Sequence, residues 1–346
     1  MTKPVKGLIL CAGKGSRLEP LTYSITKTLI PIGNKPMVQR AVETLIDAGI
    51  KEIGLVVREG AAAIQQLLGD GSKWGVKLTY IYQEQALGTG HAVQTALSFI
   101  GEHPVLVYLG DNIIGNDLKE LVSYSQQDDC PDAIVVTKEV ENPQDYGVVE
   151  QRDGQVVHIV EKPKFPRSNL ALTGIFLFHS SVIPLFENLP LSPRGEYELT
   201  SVFDKIFEKG GIIRSHALNN WWIDAGNPLR LLEANRLTLD ELVSQRGEDI
   251  LLASHDIVLE NCQIEGPVLI GEGSVIRNAS IGPYTAIGRN TTIINTKIKN
   301  SIIMENSRII DIEPLIANSI IGEEVNIQKR DNEVNLIISN KNTIYI

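Results

Sequence analysis

The chain has 346 residues, of which 43% are hydrophobic, and a formal net charge of −10. This length predicts either one very large domain or two domains, with enough apolar residues for a sizeable core. The acidic balance argues against general nucleic-acid binding, which needs a basic surface. Any affinity for phosphate must therefore come from a local group of cations.

Three cysteines, Cys11, Cys130 and Cys262, lie far apart in the sequence. Their odd number and spacing fit neither a disulfide framework nor a metal site, and are typical of a protein in a reducing cytoplasm. No run approaches 18 uninterrupted apolar residues, and the first residues lack the apolar region of a signal peptide. We therefore predict a cytoplasmic protein without a membrane partner.

The first 240 residues alternate apolar strands with amphipathic helices, which predicts a mostly parallel sheet covered on both faces. From Ala133 the pattern changes to antiparallel strands, with a hairpin turn at Asp153-Gly154. The predicted elements are strands at Val5–Cys11, Lys51–Val57, Lys77–Tyr82, Pro104–Leu109, Tyr146–Gln151, Val156–Glu161 and Asn169–His179, and helices at Pro36–Ala48, Thr89–Phe99, Glu198–Lys209 and one ending near Val243.

The segment after the first strand, Ala12-Gly13-Lys14-Gly15-Ser16-Arg17, predicts a polyphosphate site. Glycines let the backbone approach a ligand and turn its N–H groups toward an anion. Arg17 offers a planar fork for phosphate oxygens, and Lys27 supplies a second cation. The dinucleotide-binding fingerprint is excluded, because its third glycine is absent. The P-loop is excluded as well, because the sequence Gly-Lys-Ser/Thr is absent. An ordinary turn is the alternative for the glycines alone.

Gly13, Gln83 and Asp111 each follow the end of a predicted strand. Ligands bind at the carboxyl ends of the strands of open α/β sheets. Asp111 would hold Mg²⁺ at this edge, because Mg²⁺ takes one or two carboxylates beside phosphate oxygens; capping of a helix is the alternative. The Gln83 amide offers both donors and acceptors, which match a pyrimidine edge.

Between residues 250 and 330, aliphatic residues recur mostly every six positions, with one five-residue step after Ile276 and a break after Ile293, from which the count resumes at Ile303. Such a hexapeptide period predicts a parallel β-helix, in which each coil stacks its aliphatic corner on the next. The repeated positions are Leu252, Val258, Ile264, Ile270, Ile276, Ile281, Ile287, Ile293, Ile303, Ile309, Leu315, Ile321 and Ile327.

The string from Ala12 to Thr22, followed by Lys27 and Lys35-Pro36, resembles the signature of the sugar-nucleotide pyrophosphorylases. Within that family the chain is similar to the long-form glucose-1-phosphate thymidylyltransferases over nearly its whole length. The resemblance implies an α/β fold, with a Rossmann-like mixed-sheet nucleotidyltransferase domain over residues 1–243. A left-handed parallel β-helix of hexapeptide repeats would follow over residues 244–346.

The resemblance also implies which residues form the site. Catalytic roles are expected of Arg17, Lys27, Asp111, Lys162 and Asp224, and the metal ligands would be Asp111 and Asp224. Nucleotide contacts are expected from Ala12, Gly13, Gly15, Ser16, Arg17, Lys27, Gln83, Gly88 and Asp111. Sugar-phosphate contacts are expected from Asn112, Tyr146, Gly147, Glu161, Lys162, Leu172, Thr173 and Gly174.

Three further residues or segments receive a structural interpretation. Arg194-Gly195-Glu196-Tyr197-Glu198 would support the sugar-binding loop, His91 would be a structural residue, and the Lys14 side chain would be exposed. On composition alone, Glu161-Lys162 at a strand end is typical of a solvated face.

Together these features predict Mg²⁺-dependent transfer of a nucleotidyl group from dTTP or UTP to glucose 1-phosphate, with release of pyrophosphate. The sugar phosphate needs no general base, because its second pKa is about 6. One alternative is a uridylyltransferase acting on glucose or (N-acetyl)glucosamine 1-phosphate. Another is a bifunctional enzyme whose β-helix transfers an acetyl group, although His255 is the repeat region's only histidine. A third is a non-catalytic nucleotide-sugar-binding subunit. By analogy we expect a homo-oligomer.

Overall fold

The computed structural model describes residues 3–58, 60–115, 118–127, 129–152 and 155–329. These residues belong to two compact units. The first consists of the chain up to Lys14 together with Met37–Asp224, and the second of Gly15–Pro36 together with the chain from Ala225 onward. The turn predicted at Asp153-Gly154 lies outside the described residues, and the domain boundary between residues 243 and 244 stays a prediction.

The chain up to Asp224 contains thirteen described strands. In order they are β1 Lys6–Leu10, β2 Pro31–Ile32, β3 Lys35–Pro36, β4 Glu52–Val57, β5 Lys77–Tyr82, β6 Val105–Leu109, β7 Asn112–Ile114, β8 Ala133–Glu139, β9 Gly147–Arg152, β10 Gln155–Glu161, β11 Leu170–Phe178, β12 Ile213–Ala217 and β13 Trp222–Asp224. The α-helices of the described chain are α1 Met37–Asp47, α2 Ala61–Leu68, α3 Thr89–Thr95, α4 Leu97–Ile100, α5 Lys119–Tyr124, α6 Ser201–Glu208 and α7 Pro228–Arg246.

The first unit is built on a nine-stranded mixed sheet of order β5-β4-β1-β6-β11-β8-β12-β10-β9. β1 pairs in parallel with β4 and β6, and β4 pairs in parallel with β5. β11 runs antiparallel to β6 and β8, and β10 runs antiparallel to β9. The mixed α/β fold that the resemblance implies is confirmed. The sheet is less parallel than the alternation of strands and helices predicts, because β11 and the β9–β10 pair run antiparallel to their neighbours.

The differences from the predicted elements are local. The helix predicted over Thr89–Phe99 is two helices, since α3 ends at Thr95 and α4 begins at Leu97. β12 was not predicted, and it pairs in parallel with β8 inside the region expected to be antiparallel. The predicted glycine stop after α1 is present, because Gly49 has φ 88 and donates its N–H to Ile46 O.

Two predictions from composition concern thiols and membranes. Cys11, Cys130 and Cys262 all carry free thiols, and Cys11 is buried. Among the described helices, none is long and apolar enough to cross a membrane.

The second unit contains a parallel β-helix, which confirms the hexapeptide prediction. Its strands are β14 Ile250–Leu252, β15 Val258–Glu260, β16 Gln263–Ile264, β17 Val268–Ile270, β18 Val275–Arg277, β19 Ser280–Ile281, β20 Thr285–Ile287, β21 Thr292–Ile294, β22 Lys297–Lys299, β23 Ile302–Ile303, β24 Arg308–Ile310, β25 Ile316–Ala317, β26 Ile320–Ile321 and β27 Asn326–Gln328. They form three parallel sheets, of order β14-β17-β20-β23-β26, β15-β18-β21-β24-β27 and β16-β19-β22-β25.

Stacked aliphatic side chains fill the β-helix, but two of the predicted positions are wrong. Leu315 is 49% exposed, and Val258 pairs with Val275, whereas its neighbour Leu259 pairs with the buried Ile276. Leu252 pairs with the buried Ile270, as predicted, although in the first coil it is 42% exposed. Ile298, which the six-residue count omits, is 1% exposed and pairs with Ile316. The count fails here because neighbouring coils are offset by 16, 17 or 18 residues instead of a constant 18.

Asparagines at the corners of the β-helix adopt left-handed backbone conformations, such as Asn278 with φ 48 and Asn295 with φ 50. Asparagine tolerates this region better than other residues that carry a Cβ. The corner amides also bond from coil to coil, as Asn261 Nδ2 does to Asn278 Oδ1 at 3.2 Å. These corners set where each strand of a coil begins.

The β2–β3 hairpin is part of the second unit, where the buried side-chain amide of a residue on α7 binds it. Asn235 is fully buried, accepts the N–H of Gly33 at 3.0 Å and donates to Tyr284 O at 3.1 Å. Asn34 Nδ2 also donates to Ile287 O at 2.6 Å. Asn235 thereby ties a segment near the start of the chain to α7 and the first β-helix coils.

Truncation of Ile298 tests the corrected interior of the β-helix. We expect Ile298→Ala to lower the free energy of unfolding by about 2–5 kcal/mol, because a filled interior position becomes a cavity. Leu315→Ala, at the exposed neighbouring position, should cost less than about 1 kcal/mol. Calorimetry on both variants and the wild type measures the loss in the free energy of unfolding. Equal losses in the two variants would contradict the assigned register.

Candidate active site

Segments that follow β1, β5 and β6 carry predicted nucleotide-binding groups of the first unit. Because these strands run parallel, their carboxyl ends lie at one edge of the sheet. Each segment is fixed by one backbone hydrogen bond: Cys11 N to Val56 O at 2.8 Å, Gln83 N to Val57 O at 2.9 Å, and Gly110 N to Leu10 O at 3.0 Å. Gly13, Gln83 and Asp111 therefore follow the same edge, as the sequence predicts.

The base-reading residues predicted at this edge are in contact with each other. Gln83 is 3% exposed, and its Nε2 donates to Gly88 O at 3.3 Å. The same Nε2 lies 2.8 Å from His91 Nδ1. The loop around Gly88 is held by Tyr197, which donates its N–H to Leu87 O and accepts the N–H of Gly90. The Arg194–Glu198 segment thus supports this loop, although the sequence placed it at the sugar-binding loop alone.

The two predicted metal carboxylates are brought together by a short antiparallel pair, β7 with β13. In its register Asp224 stands opposite Asn112, the residue after Asp111. Trp222 Nε1 donates to Asn112 Oδ1 at 2.8 Å, and Asn112 Nδ2 donates to Asp111 Oδ1 at 3.1 Å. Asn112 is 4% exposed, so its amide orients Asp111 and has little surface left for a sugar phosphate.

This donor set fits Mg²⁺ bound to substrate. Asp111 and Asp224 are both half-buried carboxylates. In the described chain no group of three or more His, Cys, Asp or Glu side chains is arranged to hold a metal. Mg²⁺ usually takes one or two carboxylates and completes its shell with water and phosphate oxygens. Two carboxylates are therefore sufficient to hold Mg²⁺ when substrate phosphates complete its coordination shell, but they do not form a complete coordination shell by themselves.

Burial also sets the ionisation of a neighbour of Asp111. The Tyr108 hydroxyl is fully buried and donates to Asn112 O at 3.0 Å. Burial, and next the Asp111 carboxylate, raise the pKa of Tyr108 above its ordinary value of 10.0. The hydroxyl stays neutral and remains a donor, which fixes the backbone beside Asp111.

The predicted sugar-phosphate residues of β9 and β10 are adjacent. Glu161 pairs with Gly147, and Lys162 donates its N–H to Tyr146 O at 3.0 Å. Lys162 has φ 46, a left-handed conformation that is uncommon outside glycine, asparagine and aspartate. Such strain clusters at functional sites. The Tyr146 ring lies 5.1 Å from that of Trp222, which places this group beside β13.

The third predicted sugar-binding segment, Leu172–Gly174, lies in a bulge of β11, where the pairing with β8 shifts between Leu172 and Phe176. The Thr173 side chain is fully buried and donates to Val136 O at 3.0 Å. Gly174 has φ 79. The Thr173 hydroxyl is thus used inside the sheet, and any contact with sugar from this segment falls to its backbone or to Leu172.

Glu161 lies in a cluster of carboxylates around Arg194. The guanidinium is 3.6 Å from Glu161, and 3.7 Å from both Glu196 and Glu198. Burial first, and then the charge of Glu198, raise the pKa of Glu161 above its ordinary 4.5, with Lys162 and Arg194 acting against the shift. Arg194 was predicted as structural support, and this contact shows which side chain it holds.

The second unit carries the predicted phosphate-binding cations Arg17 and Lys27. Gly15 has φ 67, and a Cβ there would lie 3.0 Å from Lys27 Cβ, so this turn requires glycine. Ser16 and Arg17 are exposed, whereas Lys27 is 7% exposed. Lys14, in the first unit, is exposed as predicted.

The guanidinium of Arg17 lies directly on the backbone of Gly226. A Cβ on Gly226 would come within 2.7 Å of Arg17 Nη2. This contact explains the last glycine of Trp222-Ile223-Asp224-Ala225-Gly226: a larger residue would displace the arginine. Sequence reasoning named the carboxylate of this motif but missed what its glycine does.

A nine-stranded mixed sheet with carboxylate and amide side chains just past the carboxyl ends of its parallel strands is typical of α/β enzymes that bind a ligand at that edge. Residues 6–241 match the family model described as nucleotidyl transferase. The chain belongs to this family of sugar-phosphate nucleotidyltransferases, whose substrates are a nucleotide and a sugar 1-phosphate.

Relatives support the assignment along the whole chain. It is 40% identical to the low-salt glycan biosynthesis nucleotidyltransferase Agl11 of Haloferax volcanii, over 94% of this chain and 95% of that one. It is 34% identical to a glucose-1-phosphate thymidylyltransferase of Streptomyces antibioticus, over 93% of each chain. A solved Bacillus anthracis structure described as such a thymidylyltransferase, in complex with a sucrose, matches with a TM-score of 0.63 and 34% identity, over 67% of this chain and 94% of that one.

The carboxylate cluster predicts a pH-dependent stability. Because the pKa of Glu161 is raised, its protonation stabilises the fold; this contribution is complete below pH 4.5 and is lost as the pH rises through the raised pKa. Glu161→Gln removes the titration. The melting temperature of the variant should therefore rise relative to the wild type between about pH 4.5 and pH 7. Calorimetry over this range, with Glu187→Gln at an exposed position as control, checks it. Parallel curves for Glu161→Gln and wild type would contradict it.

The contact between the Arg17 guanidinium and Gly226 predicts that a larger residue at position 226 lowers the affinity for phosphate groups without lowering stability. Gly226→Ala displaces only the end of the flexible, exposed Arg17 side chain. The free energy of unfolding should therefore change by less than about 0.5 kcal/mol. Affinity for pyrophosphate should fall about 10-fold, since a charge-assisted contact is misplaced. Calorimetric titration measures it. Gly322→Ala, where a Cβ meets only ordinary contact with Val325 at 3.7 Å, is the matched control.

Proposed function

We propose that the protein is a Mg²⁺-dependent glucose-1-phosphate thymidylyltransferase. The observation that carries the proposal is the β7–β13 pair, which sets Asp224 opposite Asn112 and beside Asp111. Two carboxylates held in this way suit an ion that also binds phosphate oxygens. The choice of thymidine is supported by the similarity to the Streptomyces enzyme over 93% of both chains.

The reaction joins the phosphate of the sugar to the α-phosphate of the nucleotide and releases pyrophosphate. An oxygen of glucose 1-phosphate forms a bond to the α-phosphorus of dTTP, while the bond from that phosphorus to the bridging oxygen of the β-phosphate breaks. The products are dTDP-glucose and pyrophosphate. The attacking oxygen is already ionised near neutral pH, because the second pKa of such a phosphate is about 6. The chain therefore has to supply charge neutralisation and alignment and no general base.

Each group of side chains has a part in this reaction. Arg17 and Lys27, with the backbone of Ala12–Ser16, bind the triphosphate and stabilise the departing pyrophosphate. Lys162 neutralises the sugar phosphate, and Glu161 accepts hydrogen bonds from the sugar hydroxyls. Asp111 and Asp224 would hold Mg²⁺, which supplies positive charge to the α-phosphate. Gln83 and Gly88 bind the base.

Loss of a carboxylate or of the loop arginine tests these roles. We expect Asp111→Asn and Arg17→Ala each to lower kcat by about 100-fold or more, since each removes charge that stabilises the transition state. Lys51→Ala removes an exposed cation at the amino end of β4 and should leave kcat unchanged. Pyrophosphate release at saturating Mg²⁺ measures all three. Turnover near that of the wild type in either site variant would remove that residue from the mechanism.

Substrate identity is tested by crossing dTTP and UTP with the 1-phosphates of glucose, galactose and N-acetylglucosamine. The highest kcat/KM is expected for dTTP with glucose 1-phosphate. The margin over UTP should be modest, because the two bases differ by one methyl group, worth about 1 kcal/mol in a pocket. A higher value with UTP would make the protein a uridylyltransferase, and binding without turnover would make it a non-catalytic subunit.

The β-helix carries two further proposals. We expect it to contribute to a homo-oligomer, which light scattering would detect as a multiple of 38.1 kDa. We expect no acetyl transfer, because the repeat region holds only His255 as a candidate base. Release of free CoA from acetyl-CoA with glucosamine 1-phosphate would contradict the second expectation.

A further inference from the structure

We propose that His91 is a positioning residue that locks the side-chain amide of Gln83 in one orientation. In this orientation the site selects pyrimidines with a hydrogen on N3, which are thymine and uracil, against cytosine. The inference rests on the proposed function, in which Gln83 binds the base, and it assigns a role to a histidine that the sequence suggests is only structural.

The orientation of the amide follows from its hydrogen bonds. Gln83 Nε2 lies 3.3 Å from Gly88 O and 2.8 Å from His91 Nδ1. A backbone carbonyl can only accept, so the nitrogen of the Gln83 amide must face it and donate. The second hydrogen of Nε2 then points to His91 Nδ1, which accepts with its lone pair while its proton is on Nε2. Both donors of the amide are thereby used within the protein.

The groups that remain for a base are one acceptor and one donor. In the part of the chain that the structure describes, no group donates to Gln83 Oε1, and the N–H of Gly88 reaches no acceptor. An acceptor beside a donor is complementary to N3–H and the neighbouring carbonyl of thymine or uracil. Cytosine presents the reverse pattern, an N3 acceptor beside an amino donor, and would set two acceptors against each other.

His91 is held in place independently of Gln83. It lies in the first turn of α3, where Gly90 donates its N–H to Tyr197 O at 2.7 Å and Thr95 Oγ1 donates to His91 O at 2.9 Å. The His91 and Tyr197 rings lie 6.2 Å apart. A Cβ on Gly88 would lie 2.5 Å from Tyr197 O, which shows how closely this loop is packed on the Arg194–Glu198 segment. The histidine therefore acts as a fixed acceptor.

Without that acceptor the amide is free to turn. The terminal torsion of glutamine is broad and nearly two-fold, so a half-turn exchanges Oε1 with Nε2 at little intrinsic cost. The turned amide would donate to N3 of cytosine and oppose N3–H of thymine. Only the longer bond to Gly88 O would still resist the turn. The preference for thymine over cytosine should then fall, because cytosine binds better and thymine binds worse.

Two substitutions separate this role from a merely structural one. His91→Leu keeps bulk but has no acceptor, whereas His91→Asn offers Oδ1 close to the place of Nδ1. Steady-state kinetics with dTTP and dCTP, at saturating glucose 1-phosphate and Mg²⁺, give the ratio of the two kcat/KM values. We expect His91→Leu to lower the dTTP-to-dCTP ratio by about 10-fold, mainly through KM, because one hydrogen bond to the base is lost or reversed. His91→Asn should restore most of the ratio.

The outcomes that overturn the inference are distinct from failure of the proposed function. A wild-type ratio in His91→Leu, or an equal loss in His91→Asn, would assign the histidine to packing alone. Calorimetric binding of dTTP and dCTP to the wild-type protein gives a reading that needs neither turnover nor a folded variant. Equal affinities would overturn the inference. A preference for dTTP without pyrophosphate release would overturn only the proposed function.

Discussion

The structure of the candidate site depends on parallel pairing of β1 with β4 and β6. Strands buried between helices must satisfy every backbone N–H and C=O, and parallel neighbours do this while ending at the same edge. The N–H groups of Cys11, Gln83 and Gly110 extend this pairing one residue past the strands. Cys11 and Gly110, 99 positions apart in the sequence, are therefore fixed at one edge before any side chain contributes.

Side chains outside the predicted catalytic set then determine how the functional groups point. Trp222 fixes Asn112, which in turn donates to Asp111, while Arg194 lies beside Glu161. Such supporting contacts matter most in a chain with net charge −10, because an acidic protein that binds anionic substrates needs the charged groups of its site to be well oriented.

The sequence was sufficient for the strands β1, β4, β5 and β6, the residues that follow them and the β-helix, because each leaves a short-range pattern. It did not predict α2, α5, β7 or β13, which are short. It was not sufficient for β12, whose Ile213–Ala217 is exposed along part of its length and lacks a clear apolar alternation. The β-helix register also required the structure. Ile316 replaces Leu315 in the interior because the coil lengths vary, and a fixed count of six cannot follow such variation.

The supporting contacts of the site were beyond sequence reasoning for a physical reason. A motif shows which residues are near one another along the chain, but the contacts of Arg17 with Gly226 and of Arg194 with Glu161 join residues far apart in sequence. His91 is different, since it lies only eight positions from Gln83. What hides it is the turn between β5 and α3, whose direction is set by Tyr197 far along the chain. The loop that we propose to bind the base is thus held by a segment that the sequence analysis placed at the sugar-binding loop.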